Sequence, residues 1–398
     1  MNTAALPLAV RRLMRPLLRA AVPFITMIVG TASMHGQWVA MSEEADSMMQ
    51  VGIRNIYNVQ FAEAHRNFTR VIELDPTNPA GYFLDAMIDW WKVNIAQRRR
   101  TYDQTFLEKI QRVIDVCDRE LAKDPQNLTA LFFKGGSLGF RGRYYAMRES
   151  MVNAVNDGRV ALEMMNECKK IAPANHDIML GTGTYNYFAA MIPEKYPLVK
   201  PLMALFPGGD KDLGILQLEA AARTARYARV EASVVLLNAF YDFEKNPTRA
   251  MPIAKDLHER FPDNPYFHRY MGRCYVQLGP LDTMELVWRD VLVKYLDKKF
   301  GYDNPTAREA LYYIGLSRMI RGDHDMALKY YYKCDEACRS LDEDPSGFMT
   351  KVNIKIGNIY DLQGKRKLAV KQYDKVLSWS DRNGSHDEAR RYKDQPYR

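Results

Sequence analysis

A grid of small and aromatic residues returns along this chain at fixed spacing, and it constrains the fold more than any other feature. In "VGIRNIYNVQFAEAHRNFTRVIELDP", Gly52 is followed twelve residues later by Ala64, then by Phe68 and Pro76. Gly315, Ala327 and Tyr331 repeat the grid in "IGLSRMIRGDHDMALKYYYKC", and Gly357, Ala369 and Tyr373 repeat it in "IGNIYDLQGKRKLAVKQYDKVL". "VVLLNAFYDFEKNPTRAMPIAKDLHERFP" supplies Tyr241, Ala250 and Pro262, and a partial copy has Gly272, Tyr275 and Trp288. Small residues at such positions let two antiparallel helices approach closely. An aromatic one turn after the Ala is expected to fill space towards the next unit, and Pro to end the second helix.

The order of these slots resembles the tetratricopeptide repeat, a helix-turn-helix unit of about 34 residues. The resemblance implies an all-α fold of helix pairs stacked in a right-handed superhelix, an α-solenoid whose concave face is the usual site for peptides or partner helices. The first-helix Trp of the family pattern is replaced here by Met48, Val234 or Asn353, and several units lack the terminal Pro. In three consecutive units the twelve-residue step grows: 27 residues from Ala86 to Val113, 26 from Gly135 to Ala161 and 31 from Gly183 to Gly214. These units are expected to carry insertions between their helices. The reading is about eight units over residues 43–381, the second to fourth with insertions, and a polar basic tail over 382–398.

Charge divides the chain unevenly. Residues 1–42 carry only Arg11, Arg12, Arg15 and Arg19, and the rest holds 52 basic against 48 acidic residues, too balanced to imply nucleic acid. After the arginines comes the apolar "AAVPFITMIVGTA", residues 20–32, which ends in small residues. It has the pattern of a secretory signal peptide and is too short to span ~30 Å of hydrocarbon. Residues 1–36 are therefore expected to be a signal peptide cleaved between Ala32 and Gln37, with export to the periplasm or cell envelope. The alternatives are a membrane anchor retained through residues 20–32 and an Arg-rich transit peptide. The five cysteines, Cys117, Cys168, Cys274, Cys334 and Cys338, form neither a paired disulfide framework nor a zinc ligand set.

"FPGGDKDLGI", residues 206–215, looks at first like a phosphate loop before a helix. A Walker loop needs a hydroxyl residue after its Lys, whereas Lys211 is followed by Asp212, whose carboxylate would repel phosphate. Asp210 is instead expected to cap the following helix, with Gly208 and Gly209 turning the chain into it. "MIPEKYPLVKPLMALFP" places Pro193, Pro197, Pro201 and Pro207 among apolar residues, so the 191–209 insertion is expected to fold back on its repeat, or to form a lid or a peripheral membrane contact. Trp90 and Trp91 read as packing, and Arg98, Arg99 and Arg100 as a solvated helix end or a dock for a partner's acidic patch. Asp323, His324 and Asp325 offer only local ligands for a metal, and no HExxH, GxSxG or CxxC arrangement is present.

The sequence thus points to a non-enzymatic interaction or scaffold module with a protein or peptide partner, no cofactor, no metal and no catalytic residue. The alternatives are a membrane-anchored assembly factor and a small-molecule binder or enzyme using a pocket formed by the insertions.

Overall fold

The computed structural model describes residues 42–197, 200–203 and 206–398, and the expected leader over 1–36 lies outside them. Its elements are helices throughout, and among the described residues there is no strand. The chain runs through α1 (Glu43–Tyr57), α2 (Phe61–Leu74), α3 (Pro79–Ile95), α4 (Asp103–Lys123), α5 (Leu128–Met147), α6 (Met151–Ile171) and α7 (Ile178–Lys195). A single short turn, α8 (Lys200–Met203), precedes α9 (Lys211–Thr224) and α10 (Arg229–Asn238). Then follow α11 (Pro247–Arg260), α12 (Pro265–Leu278), α13 (Leu281–Leu296), α14 (Asn304–Ile320), α15 (His324–Leu341), α16 (Gly347–Leu362), α17 (Arg366–Leu377) and α18 (Ser385–Asp394).

Local chemistry starts many of the helices. Asn78, Asn246 and Asn264 accept a backbone N–H with their side chains, and each is followed by Pro at the first helical position. Ser42, Asn127, Asp303, Asp323 and Ser346 cap in the same way. Within a pair, a Cβ on Gly52 would lie 2.4 Å from Phe68, on Gly315 2.7 Å from Tyr331, and on Gly357 2.5 Å from Tyr373. The aromatic slot therefore lies over the glycine of its own unit, and in the last unit Tyr373 also meets Tyr392 of the following helix, with ring centroids 6.0 Å apart. Ala64, Ala327 and Ala369 are fully buried at the same crossings.

Two expectations are corrected. In the units with the longer step, most of the extra residues extend the helices themselves. α4 and α6 have 21 residues each against 14 for α2, and only residues 148–150 separate α5 from α6. The exception is the stretch between α7 and α9, where Pro193 still sits in the last turn of α7 and α8 follows. The C-terminal segment is not merely a polar tail. Ala389, one face of α18, is fully buried against the preceding unit, and Arg366 donates to the Tyr392 carbonyl at 2.9 Å. An apolar stripe of Ala389 and Tyr392, three residues apart, is enough to seat a helix that is otherwise charged.

Curvature brings the first units against later ones. Asn264 Nδ2 donates to the Tyr57 carbonyl at 2.9 Å, and Tyr57 and Trp91 pack on Phe267 with ring centroids 6.5 and 5.4 Å apart. Asp46 accepts from Arg226 Nε at 3.1 Å and from the Tyr227 hydroxyl. Phe61 meets Phe300 edge-on at 5.2 Å, and Arg98 reaches Asp342 at 3.1 Å. This seam joins residues some 140 to 240 positions apart, and it fills part of the inner face with the chain's own aromatic side chains.

Candidate interaction site on the inner face

Successive first helices touch each other, α1 with α3, α3 with α5 and α5 with α7, so they form the inner wall of the curved array. Charged groups within that wall converge from α5, α10, α12 and α14. Their helices are apolar on most sides because they are covered by second helices behind and by the seam in front.

Glu231 of α10 is one of the buried groups. Its Oε1 accepts from Trp91 Nε1 at 2.7 Å and from the Tyr57 hydroxyl at 3.3 Å, while Oε2 lies 3.9 Å from Arg143 Nη1 without a hydrogen bond. Burial pushes its carboxyl above the ordinary glutamate range, and the Arg143 charge and the two donors oppose this without overcoming it. The same burial drives the Tyr57 hydroxyl upward, with the neighbouring Glu231 charge adding to it.

Arg143 lies over the Trp90 ring at 4.9 Å and the Phe140 ring at 5.4 Å, and its side chain is 31% exposed. Stacking on aromatic faces orients the guanidinium but leaves its in-plane donors unused. Across the wall, Arg269 makes a single long hydrogen bond, Nη1 to Thr306 Oγ1 at 3.4 Å, and its Nε has no partner. Burial and the adjacent Arg273 charge pull Arg269 below the ordinary arginine value. The residue as a whole is half-buried, with its Nε out of reach of solvent. For Arg273, burial works against the charge, yet the bidentate pair to Glu309, at 2.6 and 2.8 Å, overrides it and holds the guanidinium above its usual value.

Between these arginines the helical register changes. Residues Ala239–Phe243 form one π-turn, which carries Asp242 to the inner wall. Asp242 accepts from the Tyr270 hydroxyl at 2.5 Å, and Asn238 Nδ2 donates to the Tyr266 and Tyr270 hydroxyls at 2.6 and 2.9 Å. Tyr241, on the same turn, accepts from Gln277 Nε2 at 3.0 Å. The result is a wall of tyrosine hydroxyls and guanidinium groups held by Glu231, Asp242 and Glu309.

The residues singled out from sequence lie elsewhere. Asp210 accepts from Leu213 N at 2.9 Å at the start of α9, Lys211 pairs with Glu244 at 3.2 Å, and a Cβ on Gly209 would meet the Asn186 carbonyl at 2.3 Å. The 206–215 loop is thus packed against α7. Trp90 and Trp91 are buried, Trp90 against Phe106 and Phe140 and Trp91 against Tyr266 and Phe267. Asp323 caps α15 and Asp325 accepts from Gln363 at 3.2 Å. All five cysteines are free and buried, and Cys334 donates to the Arg308 carbonyl at 3.5 Å. Among the described residues, no group of three acidic, Cys or His side chains has the arrangement of a metal site, and no helix is long and apolar enough to cross a membrane. Sequence reasoning passed over Arg143, Glu231, Asp242 and Arg269. The one available signal was a charge inside an apolar run, as in "VEASVVLLNAF".

Residues 350–383 match the family model of the tetratricopeptide repeat. No curated protein matches the chain by sequence. Among solved structures it is similar to a chain of the APC/C hetero-tetramer Cut9-Hcn1, at 15% identity and a TM-score of 0.47, over 83% of this chain and 52% of that one. It is similar to the apo form of RapI at 14% identity and a TM-score of 0.41, over 84% and 86% of the two chains. A human IFIT1 dimer with m7Gppp-AAAA follows at 12% identity and a TM-score of 0.38, over 90% and 89%. The chain spans about half the length of the first of these. Likeness at this level carries nothing about partners or ligands.

Proposed function

We propose that this chain is a non-enzymatic interaction module that holds an acidic segment of a protein partner against its inner wall, acting in the cell envelope after export. The observation that carries the reading is the pair of inner-wall guanidiniums, Arg143 and Arg269, whose donors are largely unused: Glu231 offers Arg143 only a long 3.9 Å ion pair, and Arg269 has one long hydrogen bond. Charge-assisted hydrogen bonds to an acidic partner would satisfy them, and the flanking tyrosines add contact area. The Arg-rich, then apolar, leader supports the envelope assignment.

A labelled Glu-rich peptide, compared with its Gln-rich counterpart by fluorescence anisotropy, tests the binding. The acidic peptide alone is expected to bind, and Arg143→Ala to weaken it about tenfold or more. Equal binding of both peptides, or none of either, refutes the inner-wall reading.

A further inference from the structure

The seam that closes the array also places two cationic turns face to face, and the inner-wall reading does not account for them. One is the α3–α4 connection with Arg98, Arg99 and Arg100. The other is the α13–α14 connection with Lys298 and Lys299, some 200 positions away. Between them lies a cleft of about 350 Å³ whose walls include Arg99, Tyr102, Tyr295, Lys298, Lys299 and Asp303.

Both turns are built rather than frayed. Arg148, bidentate to Asp103 at 2.8 and 2.7 Å, also donates to the Gln97 carbonyl at 2.7 Å and the Arg99 carbonyl at 3.1 Å, so the arginines stand on a fixed backbone. On the other side Gly301 has φ +76°, and a Cβ there would lie 2.4 Å from Ile95 and 2.6 Å from Pro265. Only glycine allows that close approach, and it presses the lysine turn against the end of α3.

The positive charge in the cleft exceeds the acid available to it. Asp342 is shared by Arg98 at 3.1 Å and Arg308 at 2.7 Å. Asp303 lies 3.9 Å from Arg99 and already caps α14 by accepting from Thr306 N and Oγ1 at 3.2 and 3.0 Å. Asp297, beside Lys298, is exposed. Among the described residues Lys298 and Lys299, which line the cleft, have no ion pair, nor has Arg100 beside it. Bringing like charges together across a rigid seam opposes closure, and an anion between them reverses the sign of that interaction.

We propose that this cleft is a binding site for a compact multivalent anion of the polyphosphate class, and that its occupation clamps the seam shut. The cleft lies at the small end of the range for ligand pockets, which fits a few phosphate groups rather than an extended chain. A ligand bound only by the closed array raises its melting temperature by mass action.

Titration calorimetry and thermal melts of the full chain with inorganic tripolyphosphate at low salt test this. Saturable binding that weakens with added salt and raises Tm is expected, and Lys298→Glu combined with Lys299→Glu weakens it by about tenfold or more. Both lysines are exposed, so this variant folds; Lys365→Glu with Lys367→Glu, at the distant α16–α17 turn, leaves binding unchanged. Gly301→Val separates the turns and abolishes binding while circular dichroism stays helical. Arg143→Ala leaves tripolyphosphate binding intact, which keeps the cleft and the inner wall distinguishable. Flotation with phosphatidylcholine vesicles, with and without phosphatidic acid, assigns the source. Flotation with neither vesicle alongside tripolyphosphate binding marks a soluble anion, and flotation that needs phosphatidic acid and both lysines marks a headgroup. No saturable binding, or equal losses in the Lys365 and Lys367 control, or full binding by Gly301→Val, overturns the proposal.

Discussion

Replacing Gly52 by Ala tests how each helix pair is packed. On intrinsic propensity alone the change should stabilise α1 by about 0.8–1 kcal/mol, since Gly is the poorer residue inside a helix. The structure demands the opposite sign. The new Cβ would stand 2.4 Å from Phe68 Cε1 and 2.7 Å from Cζ, where ordinary contact begins at 3.4 Å. The ring must therefore retreat by ~1 Å, yet Phe68 is fully buried between Gly52 and the neighbouring core. Overpacking of this kind costs about 1–3 kcal/mol, so after the propensity gain a net loss of up to roughly 2 kcal/mol is expected. Phe68→Leu alone removes buried ring surface and also destabilises, but it opens the space that the Ala methyl needs. In the double variant the two losses should fall short of additivity by about 1 kcal/mol or more. Urea unfolding of the four proteins measures this. A stabilising Gly52→Ala, or a strictly additive double variant, would refute the assignment of the aromatic slot to its own unit's glycine.

The remaining expectations are briefer. Asp210→Ala should lose about 0.5–2 kcal/mol by urea unfolding and Asp210→Ser should recover most of it. Calorimetry with ATP should show nothing that Lys211→Ala removes, because Lys211 already pairs with Glu244. For Glu231, burial raises the folded-state value, so its contribution to stability is fully present below ~4.3 and declines as pH rises. The melting temperature of Glu231→Gln relative to wild type should therefore climb as pH rises through and above the ordinary glutamate range, and a flat difference would show that the carboxyl is not desolvated. N-terminal sequencing of the protein from its native host should find a chain starting between Ala32 and Gln37; one starting at Met1 or Asn2 removes the export reading.

Helix pairing was legible in the residues because it is local. Gly52 with Phe68, Gly315 with Tyr331 and Gly357 with Tyr373 are each sixteen positions apart, and such spacing survives in a linear string. Caps such as Asp210 are legible for the same reason, since the donor they satisfy is three residues on. Step lengths, in contrast, read alike whether residues extend a helix or loop out, so the long α4 and α6 passed for insertions. A concave superhelix was implied by the repeat, but how far it curves, and so which residues meet across it, was not legible. Small rotations between successive pairs accumulate, and only their sum decides that Tyr57 meets Phe267, that Trp91 meets Glu231, or that Arg99 faces Lys298. The sequence by itself determined the repeating unit and the turn chemistry that starts its helices, both being interactions between near neighbours. Tertiary structure alone decided which charges lie inside the array and which oppose each other across its seam, because those pairs are joined only through the accumulated geometry of every unit between them.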